Sequence, residues 1–156
     1  MRPVLLVGRI SLSVYLDGAQ NFVFEGSNQH IYQAVFNGAS WTEEDITADS
    51  HAPAAEPNTP ITAFTQGSAV GVVFTGVDEH VYESVFQGAS GTWGYVDLTY
   101  IAGLPNADAT SALSVFIDAQ QHFVYQNSGN IFQAVAKRTP TTAAKVSTPK
   151  QPASSS

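Results

Sequence analysis

The hydrophobic positions of this chain recur in a block that occurs three times. FVFEGSNQHIYQAVF begins at Phe22, VVFTGVDEHVYESVF begins at Val72, and the shorter FVYQNSGNIFQAV begins at Phe123. Successive blocks begin 50 and 51 residues apart, which is a spacing typical of units built from four short strands. The pattern therefore predicts a repeat architecture.

Short apolar segments flank each block and complete the unit. Residues 12–15, 61–64 and 113–116 precede the blocks, and residues 41–47 and 93–99 follow the first two. Val, Ile, Tyr, Phe and Thr dominate these segments, and no capped apolar stripe of helical length is present. We therefore predict an all-β chain made of four-stranded antiparallel sheets joined by turns.

The third strand of each unit indicates how the sheets pack. In residues 80–86, strict alternation places Val81, Glu83 and Val85 on one face and Tyr82, Ser84 and Phe86 on the other. Both faces are largely apolar, so both must be covered. A β-propeller covers them by stacking each sheet, or blade, against its neighbours around a central axis.

The repeats divide the chain into blades at residues 10–60, 61–111 and 112–136, of which the third is only partial. Residues 1–9 contain a Val-Leu-Leu-Val run that we expect to supply its missing fourth strand. Residues 137–156 consist mainly of Thr, Pro, Ala, Lys and Ser, a composition that predicts a disordered tail.

Natural propellers close with roughly 4 to 8 blades, more than this chain contains. Either two three-bladed chains form a six-bladed homo-oligomeric ring, or the chain is a piece of a longer repeat protein. The number of blades alone does not separate these alternatives.

Charge and composition exclude several classes of partner. The formal net charge is −7, and all six basic residues lie outside residues 10–136, which contain all 13 acidic residues. Such a surface repels phosphate backbones and anionic lipid, so we expect no nucleic-acid partner. No segment approaches the roughly 20 apolar residues of a membrane-spanning helix, and we expect a soluble protein without membrane insertion. Cysteine is absent, so the compartment is not indicated.

The residues resemble a known family. Over about residues 10–136 the chain is similar to the fucose-lectin-like β-propellers. The shared features are Val-Tyr strands, hairpins that end in Gly-Asn-Ile or Glu-His-Val, and the Trp, Asp-Leu-Thr, Pro and Ser-Ala-Leu that follow them. The resemblance implies sugar sites between adjacent blades, each built from an Arg on the second strand, a Glu on the third and aromatic rings. It also implies that a short chain can assemble a ring from several copies.

The family's site residues transfer only in part. Its Glu corresponds to Glu83, and to Gln33 and Gln133 in the other units, whereas its Arg falls near Phe22, Val72 and Phe123. Residues 10–136 contain no Arg, so the charge-assisted fork to sugar hydroxyls is missing. Fucose specificity is therefore not carried over.

Two functions remain open. The first is a carbohydrate-binding module that holds a glycan or small saccharide, with Glu83, Gln33 and Gln133 as polar contacts. Its stacking residues would be Trp41, Trp93 and Tyr95. The structural alternative is that these three rings belong to the blade core and that Glu83 lies at a solvated blade edge. The second is a degenerate propeller that acts as a protein-interaction or structural platform.

Neither function requires catalysis or a cofactor. No nucleophile elbow, phosphate-binding Gly loop or Cys nucleophile is present, and we expect no enzyme activity and no cofactor. His30 and His80 occupy equivalent places in successive units, which favours a repeated structural role, such as closing a hairpin, over metal binding.

Overall fold

The computed structural model of the protein describes residues 12–16, 19–118, 120–139 and 142–147. It contains three four-stranded antiparallel sheets that follow one another along the chain. In each sheet the strands lie side by side in the order in which the sequence supplies them. The prediction of an all-β chain made of four-stranded antiparallel blades is confirmed.

The blades have the following bounds. Blade 1 contains β1 (Leu12–Leu16), β2 (Gln20–Glu25), β3 (Ile31–Phe36) and β4 (Trp41–Asp45). Blade 2 contains β5 (Thr62–Gln66), β6 (Ala69–Thr75), β7 (Val81–Gln87) and β8 (Thr92–Asp97). Blade 3 contains β9 (Ser114–Ile117), β10 (Gln121–Asn127), β11 (Asn130–Thr139) and β12 (Thr142–Ser147). The one-turn helices α1 (Ile46–Ser50) and α2 (Leu98–Ala102) follow β4 and β8.

Blade 3 differs from the expectation drawn from the sequence. Its fourth strand is β12, which pairs antiparallel with β11 and lies within the segment predicted to be a disordered tail. Strand pairing satisfies backbone groups whatever the side chains are, so a segment poor in large apolar residues can still form an edge strand. Residues 1–9, expected to supply this strand, lie outside the described residues.

The two helices begin inside segments 41–47 and 93–99, which were expected to form strands. Asp45 caps α1 and Asp97 caps α2, each accepting a hydrogen bond from a backbone N–H in the first turn. His30 Nδ1 lies 2.8 Å from Asp45 Oδ2, and His80 Nδ1 lies 2.6 Å from Asp97 Oδ2. The two histidines therefore join a hairpin to a helix cap, rather than closing the hairpin as expected. At five residues each, neither helix is long enough to cross a membrane, and the described residues contain no longer one.

The blades stack through their faces, with their first strands adjacent. Ser13 Oγ of β1 accepts a hydrogen bond of 2.9 Å from the backbone N–H of Ala63, and Thr62 Oγ1 of β5 donates one of 2.9 Å to the backbone carbonyl of Leu113, just before β9. Two apolar clusters fill the two interfaces. Blades 1 and 2 bury Tyr15, Val23, Ile31, Val70, Val72, Phe74 and Tyr82. Blades 2 and 3 bury Val73, Val81, Phe123, Tyr125 and Ala134.

Blade 2 is thus covered on both sides, as the alternation in β7 predicts. Val81 and Tyr82, which point in opposite directions, are both buried, and they belong to different interfaces. Among the described residues, blades 1 and 3 are each covered on one side only. This difference determines which side chains remain exposed.

Candidate functional site

Each blade carries the same three-residue arrangement on the face that points toward the next blade. An aromatic residue of the first strand pairs with a residue of the second strand, and a Gln or Glu of the third strand lies diagonally opposite on the same face. We call these arrangements the interblade triads. They are Tyr15, Asn21 and Gln33 in blade 1, Phe64, Gly71 and Glu83 in blade 2, and Phe116, His122 and Gln133 in blade 3.

The triad of blade 1 is closed by the chain itself. The Tyr15 hydroxyl donates a hydrogen bond of 2.6 Å to Gln33 Oε1, and Gln33 Nε2 donates one to the Glu44 carboxylate. Tyr15, Asn21 and Gln33 are all buried. The Gln33 amide therefore has partners on both its oxygen and its nitrogen.

The triad of blade 2 is closed by a different arrangement. Glu83 is only 4% exposed, and its Oε1 accepts a hydrogen bond of 3.1 Å from Nε2 of Gln121, a residue of blade 3. A Cβ added to Gly71 would lie 2.2 Å from Cζ of Phe64 and 2.8 Å from Glu83 Oε1. Phe64 therefore fills the space above Gly71.

Glu83 does not lie at a solvated blade edge, because its carboxylate is buried between blades 2 and 3. A buried carboxylate needs hydrogen-bond donors, and the neighbouring blade supplies one through Gln121.

The triad of blade 3 is open. Phe116 is 47% exposed and stacks on the His122 ring, with centroids 4.3 Å apart and planes inclined by 6°. Gln133 is exposed, and its Nε2 lies 2.9 Å from His122 Nδ1. His122 Nε2 lies 3.2 Å from Asp118 Oδ1. The arrangement presents an aromatic face beside an amide oxygen and a linked chain of polar groups.

A second open feature lies at the other end of the chain, on the face of blade 1 that points away from blade 2. A depression of about 360 Å³ is lined there by Phe22, Ala34, Trp41, Thr42 and Glu43. Trp41 is 38% exposed, and its ring centroid lies 5.1 Å from that of Phe22 and 5.1 Å from that of Phe36. Its ring is thus held in place by two others while one side remains accessible.

The remaining predicted stacking residues have different environments. Trp93 packs against the cluster between blades 1 and 2 and lies 5.4 Å from Phe86. Its buried indole N–H has no hydrogen-bond partner among the described residues. Tyr95 is exposed and contacts Tyr82 edge-on at 6.0 Å.

The structure does not bring Glu83 together with these two rings. Ser84 pairs with Tyr95 and Phe86 pairs with Trp93, so both rings lie on the opposite face of blade 2 from Glu83. The predicted ligand residues thus do not form a single site within blade 2. Gln133 belongs to the triad of blade 3, and Trp41 lines the depression on blade 1, so these two residues also lie at separate places.

The second-strand residues named from the sequence do not share a face with the third-strand Gln or Glu. Phe22 pairs with Ala34 and Val72 pairs with Ser84, so these residues point away from Gln33 and Glu83. A one-residue offset reverses every side chain in a strand. Counting the hairpin register outward from the Gln or Glu identifies Asn21, Gly71 and His122 as the second-strand residues that share its face.

Within the described part of the chain, no three His, Asp or Glu residues converge as metal ligands. Three aspartates have structural contacts: Asp45 and Asp97 cap helices, and Asp78 accepts a hydrogen bond of 2.7 Å from the Tyr82 hydroxyl. Burial, together with this bond, raises the pKa of Tyr82.

Comparison with known proteins supports the fold. The chain is similar to the crystal structure of AofleA from Arthrobotrys oligospora, with a TM-score of 0.69 and 18% identity over 92% of this chain and 42% of that one. It is also similar to a variant of the Aleuria aurantia lectin AAL in complex with Fucα1-6GlcNAc, with a TM-score of 0.60 and 16% identity over 90% of this chain and 45% of that one.

The same lectin variant in complex with α-methyl-L-fucoside gives a TM-score of 0.60 and 16% identity over 90% of this chain and 44% of that one. The chain therefore spans less than half the length of each of these proteins. No protein-family model matches the sequence, and no curated protein matches it.

Proposed function

We propose that this chain is a non-catalytic carbohydrate-binding protein of the lectin type, with sugar sites between blades. The observation that carries the proposal is the open triad of blade 3, in which an exposed ring stacks beside His122 and Gln133. An aromatic ring covers the apolar C–H face of a sugar, and polar neighbours bond its hydroxyls. The structural likeness to lectins with bound fucosides supports the same class of ligand.

The charge of the chain favours a neutral saccharide. The 13 acidic residues all lie within residues 10–136, which contain no Lys or Arg, so an anionic sugar would be repelled. The open triad offers hydrogen bonds from an amide and an imidazole rather than from a guanidinium. This differs from the arginine fork of the fucose lectins, and we do not assign fucose.

Among the residues predicted from the sequence, we assign ligand contact to Gln133 and Trp41, with Tyr95 as an exposed but separate ring. Gln33 and Glu83 hold their positions by contacts with Tyr15, Glu44 and Gln121. We therefore assign these two, together with Trp93, to packing between blades.

The alternative function, a protein-interaction or structural platform, is favoured by one observation. Two of the three triads are filled by the chain's own side chains, whereas apolar residues are exposed at both ends of the blade array. A platform would use those ends for protein contacts and would bind no sugar.

A glycan array probed with the purified chain distinguishes the two functions. We expect binding to one or more neutral glycans, lost on replacement of Gln133 by Ala and retained in Gln87→Ala, a matched exposed glutamine at the end of β7. Binding to no glycan, or binding that survives in both Gln133→Ala and Phe116→Ser, would contradict the proposal. Capture of a protein partner by a chain that binds no glycan would support the platform.

A further inference from the structure

The hairpins that follow the third strands of blades 1 and 2 have almost the same sequence. Residues 37–40, between β3 and β4, read Asn-Gly-Ala-Ser, and residues 87–90, at the end of β7, read Gln-Gly-Ala-Ser. The chain contains seven asparagines, and Asn37 alone is followed by glycine. The two hairpins therefore differ by one methylene group in the side chain that precedes the glycine.

That methylene group decides whether the side-chain amide can react with the backbone. In an Asn-Gly pair, the backbone nitrogen of the glycine attacks Cγ of the asparagine and closes a five-membered succinimide ring. The side-chain NH₂ leaves with the glycine N–H proton as ammonia, and water then opens the ring to aspartate or isoaspartate. Glycine has no Cβ to hinder the attack, whereas glutamine would have to close a six-membered ring, which forms more slowly.

The structure leaves the attacking nitrogen accessible. Asn37 and Gly38 are both exposed. Gly38 has a φ of 93°, and a Cβ added to it would meet nothing within 4 Å. Within the part of the chain that the structure describes, the Gly38 N–H has no hydrogen-bond acceptor. Base in the solvent can therefore reach this N–H and remove its proton.

The same turn polarises the carbonyl group that is attacked. Asn37 Oδ1 accepts two hydrogen bonds of 3.0 Å, from the backbone N–H groups of Ala39 and Ser40, as asparagine commonly does in turns. Asn37 Nδ2 lies 3.4 Å from Ser40 Oγ, to which it donates. Donors directed at a carbonyl oxygen stabilise the negative charge that develops there when a nucleophile adds to the carbon. The turn therefore favours addition at Cγ.

The hairpin of blade 2 has neither feature. The N–H groups of Ser90 and Gly91 donate to the backbone carbonyl of Gln87, at 3.0 and 2.8 Å, rather than to its side chain. A Cβ added to Gly88 would lie 2.4 Å from the carbonyl oxygen of Ser68, so this glycine is packed against the turn between β5 and β6. Blade 2 thus provides a matched comparison for blade 1.

We propose that Asn37 is a site of spontaneous deamidation in the folded protein, through attack of the Gly38 nitrogen on its Cγ. Each event replaces a neutral amide by a carboxylate and adds one negative charge to a chain whose formal charge is already −7. An aspartate product keeps the oxygen that accepts the Ala39 and Ser40 N–H groups, and so preserves the turn.

The isoaspartate product changes the hairpin. Its backbone runs through the former side chain, which adds one carbon atom between β3 and β4. Phe36 pairs with Trp41 directly across this turn, and their ring centroids lie 5.1 Å apart. Formation of isoaspartate should therefore displace the Trp41 ring.

Mass spectrometry of the full chain, incubated folded in mildly alkaline buffer, tests the proposal. Residues 10–136 contain no Lys or Arg, so a protease that cuts after aromatic residues is used, and it releases Asn37 between Phe36 and Trp41. We expect this peptide to gain the mass of an amide-to-acid conversion, faster at higher pH and faster than at each of the other asparagines. A peptide that stays unmodified in the folded chain but reacts in urea would overturn the proposal, because the turn would then protect Asn37.

Two matched variants separate the turn from the dipeptide. Asn37→Gln copies the sequence of blade 2 and should abolish the mass gain, so a gain that persists would refute the site. Gln87→Asn places the same dipeptide in the hairpin of blade 2, where it should react more slowly than Asn37. Equal rates would overturn the role assigned to the Ala39 and Ser40 N–H groups.

A third variant separates the two products. Asn37→Asp reproduces the aspartate product without isoaspartate, and its thermal midpoint should match that of fresh wild type. Wild type that has been incubated until Asn37 is converted should unfold at a lower temperature and show altered tryptophan fluorescence. Converted protein that is indistinguishable from Asn37→Asp in both measurements would contradict the displacement of Trp41.

Discussion

Blade 1 and blade 3 carry the same residue at the same position in different surroundings. Ile31 and Ile131 occupy equivalent positions in the third strand of their blade, yet the first is fully buried and the second is 72% exposed. The sequence around them is similar, so the difference comes from the neighbouring blade. In a stacked repeat, a residue's contribution depends on whether the next unit is present.

The interblade triads extend this comparison from packing to chemistry. In blade 1 the Gln33 amide accepts a hydrogen bond from the Tyr15 hydroxyl and donates one to Glu44. In blade 3 the exposed Gln133 has a hydrogen bond to His122 beside an exposed ring. Where a neighbouring blade covers a triad, the polar side chains of that triad are buried and hydrogen-bonded within the protein. A ligand can reach only a triad that is left open.

Replacing each isoleucine by alanine should produce the largest contrast. Ile31→Ala removes buried methyl groups from a packed interface and should lower the free energy of unfolding by about 2–5 kcal/mol. Ile131→Ala should change it by less than about 0.5 kcal/mol, because the Ile131 side chain is 72% exposed. Urea denaturation followed by tryptophan fluorescence measures both. Equal losses of stability for the two variants would show that the outer face of blade 3 and the inner face of blade 1 are not distinct.

The repeat period and the alternation of β7 were sufficient to predict the four-stranded blades and the burial of both faces of blade 2. The helix starts at Ile46 and Leu98 were not predicted, because residues 41–47 and 93–99 were each taken as one strand-forming segment and Asp45 and Asp97 were not recognised as N-caps. Both aspartates precede a Thr by two residues, and each Thr hydroxyl accepts the backbone N–H that begins a third strand. That repeated spacing was the available signal.

The candidate site was less accessible to prediction from the sequence. Gln133 and Trp41 were among the residues identified, but Phe116 and His122 were not. Their pairing follows from hairpin register, which a one-residue error inverts. Whether a triad is open or filled could not be predicted at all, because Gln121 reaches Glu83 from a different blade.

A methyl group added at a filled triad should have an intermediate effect. Gly71→Ala forces the new Cβ against Phe64 and Glu83, and overpacking of this kind costs about 1–3 kcal/mol. Gly94→Ala is the matched control, since Gly94 lies in β8 of the same blade and its Cβ would meet nothing within 4 Å. Thermal unfolding of the two variants gives the comparison, and a Gly71→Ala protein as stable as Gly94→Ala would mean that Phe64 does not fill this triad.

The smallest effect should come from the histidine pairs. The hydrogen bond that protonated His80 donates to Asp97 raises the pKa of His80 against the opposing effect of burial. The protonated pair therefore stabilises the fold fully below the ordinary histidine pKa of about 6.5, and this contribution is lost as the pH rises through the raised value. At the open end, hydrogen bonds from the Gln120 backbone N–H and, to a smaller extent, from His122 lower the pKa of the fully exposed Asp118. The pH dependence has the opposite sign there, because the contribution of Asp118 to stability is lost as the pH falls. Urea midpoints should therefore decline from pH 6 to pH 9 less steeply in His80→Gln than in the wild type, whereas Asp118→Asn should leave that slope unchanged. Equal slopes in the wild type and His80→Gln would rule out a stabilising protonated pair at the covered blade.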